Sequence, residues 1–207
     1  MHQPLSRSVA VGPRDGEVIT ERPGRTVRIL VAGDEAITMT WSRFVEGERG
    51  PDLHVHHEHT DAFYVVRGTM TYIFGTEDAR RELTAAAGTV LVAPPDVPHS
   101  FWNAGPDEVV FLNIHTPDTN FAHYLRTRRD QIDWDGFDQF PPPPTGNRPG
   151  SDAIVVAPGA GDPGPDPTTL VRYVGEDLVV TEEPGSLTIS IPSSSGPDVV
   201  YLLNERS

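Results

Sequence analysis

His54-Val55-His56 is the densest piece of potential chemistry in this chain. Residues two apart on a strand face the same side, so the two imidazoles can point at one spot. Asp61 follows five residues later, on the strand-like run Asp61-Ala62-Phe63-Tyr64-Val65-Val66-Arg67-Gly68, and shares its parity with Phe63 and Val65. Farther on, Pro94-Pro95-Asp96-Val97-Pro98 reads as a stiff turn that delivers His99 to the start of another strand. Three imidazoles and one carboxylate can therefore converge from three strands. Such a set binds a divalent transition metal and leaves coordination positions for water, dioxygen or a substrate oxygen.

Composition narrows the chemistry by exclusion. The chain has no cysteine, and all 16 of its basic residues are arginine. A thiolate nucleophile, a disulfide, a cysteine-ligated metal and a lysine Schiff base are all excluded. The remaining nitrogen and oxygen donors suit Fe, Mn, Ni, Co, Cu or Zn without choosing among them. A formal net charge of -14 argues against nucleic acid or an anionic membrane as partner. With no long apolar run and no signal-peptide pattern at Met1 to Arg7, a cytoplasmic location is expected.

The elements that must position these residues are short strands separated by Gly, Pro, Asp and Asn. They are expected at Thr26 to Val31, Ala36 to Phe44, His54 to His56, Ala62 to Arg67, Met70 to Phe74, Arg81 to Ala85, Thr89 to Ala93, His99 to Trp102 and Val109 to His115. Strands in succession without helices between them indicate an antiparallel sandwich or barrel. A short helix is expected from Asn120, capped by Asp118 or Thr119, with Phe121, Tyr124 and Leu125 packed on the outside of the barrel. The domain plan is a polar leader at 1–24, a barrel with its following helix at 25–130 and a Pro/Gly-rich linker at 131–168. A β-rich extension at 169–207 completes it. That extension is too short to hold a core of its own, so it is expected to dock on the barrel or on a partner subunit.

In His54, His56, Asp61 and Gly68, and again in Gly88, Pro94, Asp96, His99 and Asn103, the chain resembles the cupin superfamily, of the quercetin-dioxygenase-like type. Asp61 stands where that family usually has Glu, and Asp96 where it usually has Gly. The resemblance covers residues 25 to 115 and implies an all-β, antiparallel jelly-roll barrel. It also implies a mononuclear divalent metal on His54, His56, Asp61 and His99, a small-molecule substrate and a homodimer. His59, in the loop before Asp61, is the alternative fourth ligand should the shorter carboxylate not reach.

Met39, Trp41, His59, Phe63, Phe101 and Asn103 are the candidates for the substrate pocket, by parity and proximity to the motifs. Asp61 is the candidate catalytic base, because no lysine or cysteine competes for that role. His57 has the opposite parity and is expected to face outward. His115 and His123 fall outside both motifs and read as ordinary structural residues. The leading functional expectation is a dioxygenase-type oxidoreductase acting on an aromatic or enolic molecule. The alternatives are a non-oxidative isomerase or cyclase on the same centre, and a non-catalytic binding protein.

Overall fold

The computed structural model describes residues 9–32, 36–164, 166–176, 178–191 and 198–203. After β1 (Val9–Val11) come β2 (Glu17–Arg22), β3 (Arg25–Val31), β4 (Thr38–Phe44), β5 (Thr60–Arg67), β6 (Thr69–Phe74), β7 (Arg81–Ala86), β8 (Val90–Ala93), β9 (His99–Trp102) and β10 (Val109–Thr116). The helix α1 (Phe121–Asp130) follows, and then β11 (Ile154–Val156), β12 (Asp162–Pro163), β13 (Leu170–Val174), β14 (Val179–Glu183), β15 (Ser186–Ile191) and β16 (Asp198–Leu203).

A seven-stranded sheet runs in the order β11-β8-β5-β10-β4-β3-β2 and faces a three-stranded sheet, β7-β6-β9. All pairs in both sheets are antiparallel. Between the two sheets lies the barrel interior, filled by Phe63, Val65, Met70, Tyr72, Phe74, Leu91, Phe101 and Phe111. This is the antiparallel barrel that the strand spacing leads one to expect, in the jelly-roll form that the cupin resemblance implies.

A third sheet, β1-β16-β15-β14-β13-β12, covers the outer face of the seven-stranded one. Leu178, Val180, Leu187 and Ile189 pack there against Ile37, Met39, Tyr64, Val92, Leu112 and Ile114. Each such buried side chain contributes about 1.5–3 kcal/mol, so the extension gains its core by sharing the barrel's. Arg172 fastens the two together from a buried position, donating to the carbonyls of Gly88 (2.5 Å) and Ala157 (2.8 Å) and pairing with Glu182 at 2.6 Å. With both faces of the central sheet covered, all eight positions of β10 are buried and its polarity no longer alternates with exposure.

Three expectations are corrected. The leader is not wholly outside the barrel: β2 is the edge strand of the seven-stranded sheet, paired to β3. It buries only Ile19 of its six residues, too thin an apolar pattern to stand out from a polar stretch. The linker is also partly structural, because β11 pairs with β8 and Phe140 bridges to Val55. Finally, α1 does not only pack on the outside of the barrel, although Ala122 and Leu125 do rest against Ile19 and Ile29 of β2 and β3. Asp118 Oδ1 accepts the Phe121 N–H at 3.0 Å, as an N-terminal cap should, and the helix then carries Phe121, Tyr124 and Leu125 to the lining of the internal cavity. His2 lies outside the described residues.

Candidate metal centre

The geometry of the centre follows from how its strands begin. The segment before β5 bridges to β9, His54 opposite His99, with backbone bonds of 3.1 and 2.8 Å in the two directions. The Pro94–Pro98 turn makes this pairing possible. Asp96 adopts a left-handed conformation at φ 67°, which aspartate tolerates better than most residues, and its N–H returns to the His56 carbonyl at 2.7 Å. Gly68, at φ 78°, ends β5 where a Cβ would come within 2.4 Å of the Glu108 carbonyl oxygen.

One donor atom each from His54, His56, Asp61 and His99 falls within 4.8 Å of the others, and all four residues are buried. The outer nitrogen of each imidazole is engaged by a backbone carbonyl: Nδ1 of His54 with Asp52 (2.8 Å), of His99 with Val97 (3.0 Å), and of His56 with Asp138. A carbonyl can only accept, so each Nδ1 carries the proton and each Nε2 presents its lone pair inward. The His56 Nε2 is buried with no hydrogen-bond partner. The His99 Nε2 faces Asp61 Oδ2 at 3.1 Å, and the His56 Nε2 faces it at 3.8 Å. Acceptors that converge in this way need a cation among them, and the residues present fit a divalent metal.

Burial, reinforced by the neighbouring imidazoles, pushes His54, His56 and His115 well below the ordinary histidine range. All three are neutral at pH 7, which is the form that binds metal.

A second group, His56, His59 and His115, adjoins the first and shares His56 with it. His59 Nδ1 lies 2.9 Å from Asp138 Oδ2 and 2.8 Å from the Thr119 hydroxyl, while its Nε2 lies 2.8 Å from His115 Nδ1. His115 Nε2 in turn sits 3.1 Å from Asn113 Oδ1, and the Asn113 amide donates to Asp61 Oδ1. Both nitrogens of His59 are therefore engaged in a side-chain chain that ends on Asp61. This arrangement favours Asp61 over His59 as the fourth donor.

Asp138 is the residue with most hold on this loop. Its carboxylate accepts the N–H groups of His57 (3.0 Å) and Glu58 (2.7 Å) as well as His59. Burial alone would raise the Asp138 carboxyl, but these hydrogen bonds outweigh it and hold the group below the usual carboxylate range. His57 faces outward, pairing with Asp96 at 2.6 Å and stacking on Phe140.

A cavity of about 350 Å³ opens from the centre toward α1, with His54, Asp61, Asn113 and His115 on its wall beside Phe101, Phe111 and Phe121. Of the expected pocket residues, Phe101 lines it. Met39 and Trp41 do not, and this is a correction: their strand turns them to the opposite face, onto the C-terminal sheet, and Thr40 and Ser42 line the cavity instead. Phe63 stands behind Phe101, 5.1 Å ring to ring. Asn103 is a turn residue, its amide donating to the Phe44 (3.0 Å) and Asp107 (2.8 Å) carbonyls. His59 is buried within the side-chain chain described above and is not on the cavity wall.

Reasoning from the sequence missed Asn113, His115 and Asp138. The first two share parity with Phe111, and the β10–β5 register sets His115 opposite Asp61, so strand pairing was the available signal. His115 also stacks on Phe121 at 3.6 Å. Asp138 had no local signal. His123, exposed beside Trp134, is an ordinary surface residue as expected.

Residues 40–115 match the cupin domain family, and this part of the chain is a cupin domain. No curated protein matches the chain. Among solved structures it is similar to KdgF from Halomonas sp., with 23% identity over 51% of this chain and 91% of that one, at a TM-score of 0.41. It is also similar to an RmlC-like cupin family protein from Methanocaldococcus jannaschii (18% identity, 48% and 88% of the two chains, TM-score 0.40). A third similarity is to oxalate decarboxylase from Lactobacillus farciminis (22% identity, 50% and 31%, TM-score 0.42).

Proposed function

We propose that this cupin is a mononuclear metal-dependent enzyme with dioxygenase-type activity on an enolic or aromatic small molecule. The observation that carries the metal-enzyme reading is the shared orientation of His54, His56 and His99. Each is locked through Nδ1 so that Nε2 is left free for the cluster around Asp61, beside a cavity lined in part by aromatic rings. The dioxygenase-type reaction rests on the resemblance of this three-histidine, one-carboxylate set to quercetin-dioxygenase-like cupins.

When bound, the metal supplies Lewis acidity and open positions for a substrate oxygen or dioxygen. The protein's own part is to hold the substrate and move its proton. Phe101, Phe111 and Phe121 line the cavity and offer apolar contact to a substrate while excluding water from that part of the wall. Asp61, which reaches the cavity wall, accepts the substrate's hydroxyl proton at a carboxylate oxygen. Asn113 steadies that carboxylate through its amide donation to Oδ1.

Oxygen uptake tests this reading. Protein loaded with Fe(II), Ni(II), Co(II) or Mn(II) should consume oxygen with a flavonol, and Asp61→Asn should lose turnover while largely keeping the metal. Absence of uptake across flavonols, other enols and catechols, with ligands still raising the melting temperature, would replace it with a non-oxidative or binding role.

We also propose a cytoplasmic homodimer, because the sheets leave edge strands such as β2 and β12 to be covered. Light scattering that returns a monomer mass at micromolar concentration would refute the dimer.

A further inference from the structure

The cavity that serves the proposed function has a charge pattern that runs against the rest of the molecule. The chain carries a formal net charge of -14, yet the charged residues lining this cavity besides the metal-site Asp61 and histidines are three arginines, Arg25, Arg128 and Arg129. Arg128 and Arg129, in the last turn of α1, are exposed, which places them at the mouth.

The three are not equally free. Arg129 is satisfied by Asp130 and Glu17, each at 2.8 Å. Arg25 lies with its Cζ 4.2 Å over the Phe44 ring, donates to the Arg49 carbonyl and shares Glu48, at 3.3 Å, with Arg22, which holds the same carboxylate more closely at 2.7 Å. Arg128 makes no ion pair or hydrogen bond among the described residues. One carboxylate thus serves both Arg25 and Arg22, and none serves Arg128. The rest of the wall mixes the rings of Phe44, Phe101, Phe111, Phe121 and Tyr124 with aliphatic and uncharged polar side chains.

We propose that the substrate is a small carboxylic acid with a flat apolar body. Its carboxylate is held at the mouth by Arg128, with Arg25 assisting, while its body lies against Phe101, Phe111 and Phe121 and its other end reaches the metal centre. Guanidinium offers paired donors that match a carboxylate. A volume near 350 Å³ is at the small end of ligand cavities and suits a one- or two-ring acid. The inference rests on the proposed function for the location of the site, but the charge at the mouth is independent of any turnover.

The test is binding, measured by calorimetry with benzoate, cinnamate and coumarin-3-carboxylate, each against its neutral primary amide. The protein is used both loaded with redox-silent Zn(II) and stripped by chelator. At least one acid should bind roughly tenfold or more tightly than its amide in both forms, and Arg128→Gln should remove most of that preference. Arg25→Gln should reduce it further. Arg128 is exposed on a helix, so its replacement leaves the fold intact and circular dichroism can verify this. Should no acid outcompete its amide, the proposal fails. It fails equally if the preference vanishes on stripping the metal and ignores Arg128→Gln, since the carboxylate would then be a metal ligand. Failure of oxygen uptake leaves this result untouched, so the two readings fall separately.

Discussion

Asp138 Oδ2 lies 2.9 Å from Nδ1 of His59, and the backbone carbonyl of the same aspartate takes Nδ1 of His56. A residue from the proline-rich stretch after the barrel therefore fixes the loop that carries the metal-binding histidines. Its removal should loosen the centre without touching a ligand.

Asp138→Ala keeps the backbone carbonyl that holds His56 but releases the His57 and Glu58 N–H groups and the His59 ring, so through the loosened loop it is expected to weaken metal binding by about tenfold, the low end of the effect of losing an outer partner. Competition against a chromophoric chelator measures this. Affinity equal to wild type would show that the loop holds its shape without the aspartate.

The fourth ligand can be decided by substitution. His56→Ala and His99→Ala should abolish stoichiometric metal by elemental analysis, and Asp61→Ala should lower it. His59→Ala, which breaks the link to Asp138 and His115, should retain more metal than Asp61→Ala. The reverse order would pass the fourth position to His59.

Stability of the metal-stripped protein should fall as the medium is acidified. His54, His56 and His115 are held well below their ordinary value of 6.5 by burial and then by neighbouring imidazoles. Below pH 6.5 the unfolded chain therefore binds protons that the folded chain refuses, and unfolding gains on the order of 1 kcal/mol per pH unit for each such histidine. Above that pH both states are neutral and the effect is absent. Urea midpoints at pH 7.5, 6.5 and 5.5 check the sign, and a midpoint constant across that range would contradict it.

Leu187→Ala in β15 should destabilise the whole chain by about 2–5 kcal/mol, because the residue is fully buried against the barrel sheet. A single unfolding transition shifted as a unit is the expected result. If the barrel unfolds unchanged after the extension has melted, the two share less of their core than the packing indicates.

What the sequence determined by itself was local. The alternation of apolar and polar residues and the punctuation by Gly, Pro and Asp set the strands from β3 to β10 to within about two residues. The exception is the expected strand at His54 to His56, which is only a pair of isolated bridges, at His54 and Val55, because the segment pairs with β9 and Phe140 one residue at a time. The spacing of His54, His56, Asp61 and His99 marked the donors that the fold brings within 4.8 Å. A period of two, however, says that two faces differ without saying what each face meets. Ile37, Met39 and Trp41 do share a face, but it is buried under the C-terminal sheet, while Thr40 and Ser42, the polar set, face the cavity. Only the packing of a third sheet on the barrel decided that, since it makes the outer surface apolar and leaves the polar positions for the site. The same holds for Asn113, His115 and Asp138. The first two enter the centre through their register with β5, and the third through a loop that returns from some 80 residues away, relations that exist only once the chain has closed on itself.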